Sequence, residues 1–205
     1  KTIRRRTDKE IEHILLCIAD HFEPYNGNVS DEAAINRVRR WVNCLPQVVS
    51  DILDVDGEPY RHTFFYPSEQ YRPDILHEIN DLCSKGLGEV EIHIHHDQSD
   101  SLSFRKEMLE FKNTLFSRHG MLSRLKGTDE VLYGFVHGDW ALDNSRPDGR
   151  KCGVNDELII LKETGCYADF TLPSAPDITQ INKINSIYYA KDDPDKPCSH
   201  NDGKD

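Results

Sequence analysis

The stretch Glu89-Val90-Glu91-Ile92-His93-Ile94-His95 alternates polar and apolar side chains, and this period of two predicts a β-strand. Similar short strands are predicted on both sides of it. They cover residues 13–19, 62–66, 132–137, 166–172 and 184–189. Helical segments lie between most of these strands, beginning near Ser30, Pro73, Ser101 and Asp156. The chain therefore alternates strand and helix.

This alternation predicts an α/β fold with a parallel sheet, because parallel strands need a crossover that is usually a helix. A doubly wound sheet or a TIM-like barrel would fit. No GxGxxG or GxxxxGK[ST] motif follows the first strand, which favours the barrel. The strands are too few for an eight-stranded barrel, so we expect a smaller barrel or part of a longer chain. We expect one domain over residues 1–190, with residues 191–205 as a polar tail or the start of a truncated C-terminal part.

The amino-acid composition disfavours several classes of function. The 205 residues include 36 acidic and 25 basic side chains, and the formal net charge of -11 disfavours nucleic acid as a partner. No apolar run is long enough to span a membrane, and the chain contains no stretch typical of a signal peptide. The six cysteines include no CxxC pair. The oligomeric state stays open, and so does the compartment, with the cytoplasm slightly favoured.

Polar residues gather where the predicted strands end. In a parallel α/β fold these carboxyl ends meet at one edge of the sheet, where binding and catalysis take place. The polar and aromatic residues at these ends are Asp20, His21, His93, His95, His96, His137, Asp139, Trp140 and Asp169. We therefore expect one site assembled from several strands.

His93 and His95 are the strongest candidates for metal binding. Alternation places them on the same face of a strand, about 6 to 7 Å apart along the chain. Imidazole with carboxylate suits zinc, with nickel, cobalt, iron and manganese as alternatives, and His21 or Asp20 would complete the set. His96 would face the opposite side or belong to the following loop. Trp140 is placed either to stack on a sugar ring or to pack its loop onto the barrel.

Three short stretches resemble known sequence motifs: IADHFEP at residues 18–24, EIHIH at 91–95 and YADF at 167–170. These stretches resemble motifs of polysaccharide deacetylases of the NodB homology type, within the glycoside hydrolase/deacetylase superfamily. Residues 135–144 are similar to a strand-end motif of deacetylase-like proteins of that superfamily. The family has two adjacent aspartates where this chain has Asp20-His21, and two histidines four apart where it has His95 and Ser99. His93 is placed to supply the second imidazole.

The resemblance implies a distorted (β/α)7 barrel, of which the six predicted strands cover most. It also implies a metal-dependent hydrolase that removes acetyl groups from N-acetylated sugars or polysaccharides. In that reaction His21, His93 and His95 would hold the metal, Asp20 would act as base, and His137 or Asp169 would protonate the leaving amine. Carbohydrate would be the partner, with Trp140, Asp139 and His96 as candidates for binding it.

Two alternatives stay open. A glycoside hydrolase of the same superfamily would use two carboxylates across the sugar, such as Asp20 with Asp139 or Asp169. A noncatalytic carbohydrate-binding barrel is suggested by the histidine that the second motif lacks. Such a protein would bind glycan without turnover and without metal.

Overall fold

The computed structural model describes residues 14, 16–184 and 186–204. These residues form short strands and helices in alternation. In chain order the elements are β1 (Ala19–His21), α1 (Asp31–Val49), β2 (His62–Pro67), α2 (Pro73–Ser84), β3 (Gly88–Ile94), α3 (Ser101–His119), β4 (Ser123–Arg124), β5 (Val131–His137), α4 (Glu157–Thr164) and β6 (Cys166–Asp169). Short 3-10 helices add Ser68–Gln70, Gly138–Trp140, Leu142–Asn144 and Ser199–Asp202.

Five strands form a parallel sheet in the order β1-β2-β3-β5-β6, and β4 pairs antiparallel with the start of β5. The register aligns His21 with Phe65 and Pro67 with His93. His93 is in turn level with Val136 of β5. The carboxyl ends of these strands consequently lie along one edge of the sheet.

The prediction of a TIM-like (β/α)7 barrel is wrong, although the fold is α/β with a parallel sheet. The sheet is an open half-barrel. Within the described residues, β1 pairs only with β2 and β6 pairs only with β5. Closing a barrel requires hydrogen bonds between its first and last strands. Here both of these strands are edges, and at three and four residues they are short.

Two predicted strands also differ from the structure. The strand predicted over residues 13–19 begins only at Ala19, with Ile14 and Leu16 exposed and residues 13 and 15 outside the described residues. The strand predicted over 184–189 does not form. Apart from residue 185, which is not described, this segment is irregular and has one bridge, between Tyr189 and Lys204. Ile184, Ile187 and Tyr189 are 60%, 98% and 89% exposed, so little burial of apolar surface would stabilise a strand here.

One face of the sheet carries the hydrophobic core. Phe64, Ile92 and Phe135 on this face pack with apolar residues of all four helices. Phe65 and Val136, which point to the opposite face, are buried but lie outside that core. No helix in the described part of the chain combines the length and the apolar character needed to cross a lipid bilayer.

The start of α3 is fixed by its sequence. Asp100 accepts hydrogen bonds from the backbone N–H groups of Leu102 and Ser103, and the Ser103 side chain completes a capping box. The helix therefore begins shortly after β3, and Phe104 in its first turn stacks on His96, with ring centroids 4.7 Å apart.

The segment expected to be a polar tail contacts the rest of the chain. Ser199 and His200 are buried, and both bond to Asp143 in the loop after β5. One carboxylate oxygen of Asp143 accepts from the Ser199 hydroxyl at 2.9 Å and from the backbone N–H and Nδ1 of His200 at 3.0 Å each. This contact anchors residues 199–200 to the loop that follows β5.

Candidate metal centre

Three histidines and one glutamate meet at the carboxyl edge of the sheet. His21 ends β1 and Glu23 follows it, while His93 lies in β3 and His95 follows that strand. Alternation turns His93 and His95 to the same face, away from the hydrophobic core. His93 is buried, and the other three side chains are 20% to 27% exposed. We call these four residues the open cluster.

The open cluster is centred on Glu23. Its Oε1 atom lies 3.4 Å from Nε2 of His93, 3.5 Å from Nε2 of His95 and 4.0 Å from Nδ1 of His21. The ring centroid of His93 is 4.7 Å from that of His21 and 4.5 Å from that of His95. Nitrogen atoms of three imidazoles thus surround one carboxylate oxygen.

Hydrogen bonds from the other ring nitrogen fix two of these imidazoles. Nδ1 of His93 donates to the carbonyl of Val136 on β5 at 2.8 Å. Nδ1 of His95 donates to Oε1 of Glu69 at 2.6 Å, and Glu69 lies in the 3-10 helix after β2. Once deprotonated at Nε2, an imidazole that donates through Nδ1 would offer the Nε2 lone pair to a cation. Both Nε2 atoms face Glu23, in the arrangement typical of metal-binding histidines.

Burial and neighbouring charges alter the titration of the cluster. Hydrogen bonds from His93 and His95 hold the pKa of Glu23 well below its usual range. Burial opposes protonation of His95, but its hydrogen bonds to Glu23 and Glu69 outweigh this and raise its pKa to about 10. Burial, together with nearby His93, lowers the pKa of His21 to about 4. The pKa of each of these three groups therefore depends on the other ionisable side chains of the cluster.

The donor set fits a divalent transition metal. Zinc binds imidazole nitrogen and carboxylate oxygen at about 2.0 to 2.1 Å in tetrahedral geometry, which separates neighbouring ligand atoms by about 3.3 to 3.4 Å. The distances of 3.4 and 3.5 Å around Glu23 match this spacing. As hydrogen bonds these contacts are long, because a typical N–H···O distance is about 2.7 to 3.2 Å. Ligand atoms of His21, Glu23 and His93 lie within 4.8 Å of one another.

The structure brings together the three residues that the sequence suggested as metal ligands, His21, His93 and His95. Trp140 lies beside them, since its ring centroid is 5.8 Å from that of His21 and the side chain is 40% exposed. Asp139, suggested for substrate binding, instead pairs with Lys151 at 3.3 Å near the surface.

Asp20, the expected base, is not brought to the open cluster. It precedes His21 in β1, so its side chain points to the other face of the sheet. There its Oδ2 atom lies 3.0 Å from Nε2 of His62, whose ring packs against Trp41 and Phe64. Asp20 does lie at the end of a strand, as predicted, but on the face of the sheet opposite the open cluster.

His96, His137 and Asp169 also lie away from the open cluster. His96 and His137 both face Glu157, the first residue of α4, at 3.1 and 3.3 Å. Oδ2 of Asp169 accepts a hydrogen bond from the Thr171 hydroxyl at 2.7 Å, and burial raises the pKa of Asp169 to about 6. The side chains of His96 and His137 are buried on the helix side of the sheet, which removes these two histidines from direct contact with substrate at the open cluster.

Sequence reasoning missed two residues of this centre, Glu23 and Glu69. Glu23 lies in the stretch that resembles the family motif, two residues beyond His21, and this proximity was the available signal. Glu69 lies in the segment Pro67-Ser68-Glu69-Gln70, which carries no pattern that would distinguish it from a surface residue. Only the parallel pairing of β2 with β3 brings it to His95.

Scans of this chain against protein-family models, curated proteins and solved structures find no match. The resemblance to deacetylases therefore rests on the motifs quoted above.

Proposed function

We propose that this protein is a metal-dependent hydrolase that removes an acyl group from an N-acylated carbohydrate at the open cluster. The observation that carries the proposal is the convergence of two Nε2 atoms, from His93 and His95, on Oε1 of Glu23 at 3.4 and 3.5 Å. Both imidazoles are already oriented by hydrogen bonds through Nδ1. Such preorganised donors are typical of a metal centre.

The chain's own residues have distinct roles in this proposal. His93 and Glu23 would hold the ion together with His21 or His95, which leaves a fourth coordination position for water, and the carboxylate of Glu23 would offset part of the ion's charge. Glu69 positions His95 through its 2.6 Å hydrogen bond. When bound, a divalent ion of the zinc type lowers the pKa of a coordinated water towards about 7 and polarises a carbonyl. The partial exposure of His21 and His95 leaves the centre accessible to water and substrate.

Two observations support a carbohydrate as substrate. The indole of Trp140 is 40% exposed beside His21 and offers an apolar face on which a sugar ring can stack. The motifs of residues 18–24, 91–95 and 167–170 resemble those of enzymes that act on N-acetylated sugars. An acetamido group next to the open cluster would place its carbonyl near the proposed ion.

The first experiment measures metal content. Elemental analysis compares the wild-type chain with a His93→Ala, His95→Ala double variant, after both are offered zinc, cobalt and manganese. His77→Ala is the matched control, because His77 is an exposed histidine on α2. We expect the double variant to lose one equivalent of metal and the control to keep it. An equal metal content in all three proteins would overturn the proposal.

The second experiment measures release of acetate from N-acetylated oligosaccharides. We expect release by the wild type and by His77→Ala, and none by the double variant or after chelation. Cleavage of glycosidic bonds that survives chelation would favour a glycoside hydrolase instead. Binding of glycan with neither metal nor turnover would favour a noncatalytic carbohydrate-binding protein.

A further inference from the structure

A second group of potential metal ligands lies on the opposite face of the sheet from the open cluster. It consists of His96 after β3, His137 at the end of β5, Cys152 in the following loop, and Glu157 at the start of α4. We call these four residues the buried cluster, because their side chains have exposures between 0% and 3%. The proposed function assigns no role to any of them.

The buried cluster is centred on the carboxylate of Glu157. Its Oε1 atom lies 3.1 Å from Nε2 of His96 and 3.3 Å from Nε2 of His137, and its Oε2 atom lies 3.5 Å from Sγ of Cys152. One ligand atom from each of the four residues lies within 4.8 Å of all the others. Four donors from four separate segments therefore surround one small volume.

The hydrogen bonds of the cluster are incomplete within the described residues. Nδ1 of His137 donates to the carbonyl of Gly138 at 2.5 Å, which leaves Nε2 to face Glu157. Nε2 of His137 and Nδ1 of His96 are buried and have no hydrogen-bond partner among the described residues. Buried polar atoms are rarely left unpaired, because losing contact with water costs free energy that a partner must restore. A cation among these donors would give His137 a partner.

We propose that the buried cluster binds a divalent metal ion of the zinc class as a structural centre. Two imidazoles, one thiolate and one carboxylate are donor types that zinc accepts in tetrahedral sites. All four positions come from the protein and the site is closed to solvent, which is typical of structural rather than catalytic centres. Binding releases the proton of the Cys152 thiol to solvent as the sulfur–metal bond forms.

The position of this centre explains what it stabilises. His96 is adjacent to His95, and His137 is adjacent to Val136, whose carbonyl accepts the hydrogen bond from His93. An ion in the buried cluster would join the ends of β3 and β5 to α4. It would thereby fix the backbone that carries His93 and His95 on the other face.

Cobalt substitution distinguishes the two centres by their ligands. A thiolate bound to Co²⁺ absorbs in the near ultraviolet, and the open cluster contains no cysteine. We expect the Co²⁺-loaded wild type to show this band and to bind two ions. Cys152→Ser should abolish the band and lose one ion. Cys44→Ser, at an exposed cysteine, is the matched control and should keep both.

Further measurements keep the proposal testable if Cys152→Ser fails to fold. The His93→Ala, His95→Ala variant should retain one ion together with the thiolate band. If only the open cluster fails to bind metal, the wild type shows one ion with the band; if only the buried cluster fails, it shows one ion without it. X-ray absorption of the zinc-loaded wild type should show one sulfur ligand at about 2.3 Å. The absence of a sulfur ligand, or a thiolate band that persists in Cys152→Ser, would overturn the proposal.

Discussion

Gly138→Ala tests the geometry of the open cluster without removing a donor atom. Gly138 follows β5 and packs directly against His95. A Cβ atom at this position would lie 2.5 Å from Cγ of His95 and 2.7 Å from its Cα, whereas ordinary contacts are 3.4–4 Å. Because Cα is a backbone atom, rotation of the side chain cannot relieve the overlap. One of the two segments must move by about 0.7 Å or more.

The magnitude follows from the cost of overpacking. Inserting a methyl group into a close-packed contact costs about 1 to 3 kcal/mol. If His95 shifts away from Glu23 and Glu69 to relieve the overlap, the metal-bound form is destabilised by this free energy relative to the metal-free form. Since about 1.4 kcal/mol corresponds to a tenfold change in a binding constant, we expect metal affinity at the open cluster to fall about 5- to 150-fold.

The assay is a competition titration of zinc against a chromophoric chelator. The control is Gly134→Ala, four residues earlier in β5. Its Cβ would meet the side chains of Phe170 and Tyr167 at 3.1 and 3.2 Å, away from the cluster. It should lower stability and leave metal affinity unchanged. Wild-type affinity in Gly138→Ala, or an equal loss in Gly134→Ala, would refute the reasoning.

Four other substitutions probe the site and its support. Glu69→Gln should weaken metal binding about 10- to 100-fold in calorimetric titration, since Glu69 orients His95; unchanged affinity would remove this role. Trp140→Ala should raise the KM for oligosaccharide about tenfold at unchanged metal content, and an unchanged KM would exclude stacking on this indole. Burial raises the pKa of Glu91 to about 8 from 4.5, so the folded state keeps a proton that the unfolded state loses between these values. Stability should therefore fall by about 1.4 kcal/mol per pH unit across that window, and Glu91→Gln should flatten the decline in urea unfolding; parallel wild-type and variant profiles would contradict this. Asp100→Ala should cost about 1 kcal/mol in the same assay while metal content stays unchanged, and a loss of metal would show that the α3 cap supports the site.

The sequence predicted the parts of the site that depend on local pattern. The period of two in β3 places His93 and His95 on one face, and this geometry is contained within the strand itself. His137 shows where such reasoning ends. His93 is level with Val136 across the β3–β5 pair, so His137 points to the other face. No pattern within β5 reveals this register, because it depends on which residues of β3 lie opposite.

Closure of the barrel failed as a prediction for a similar reason. Alternating strands and helices predict parallel pairing between successive strands, and this holds from β1 to β3. Whether the first strand pairs with the last is a contact between distant segments that neither one encodes. Asp20 shows the same limit at the scale of a single residue, because its partner His62 lies 42 residues away.

The contact between Asp143 and residues 199–200 determines which fragment of this protein is suitable for study in solution. Composition suggests a boundary near residue 190, and a recombinant fragment cut there would lose Ser199 and His200. Asp143 would then lose three hydrogen-bond donors to its carboxylate. Each lost bond to such a group costs about 1 to 3 kcal/mol. The backbone N–H of Asp143 also donates a hydrogen bond to Glu157. A displaced Asp143 would therefore disturb the buried cluster as well. An inactive or insoluble fragment of that length would report on the missing segment rather than on the chemistry of the site.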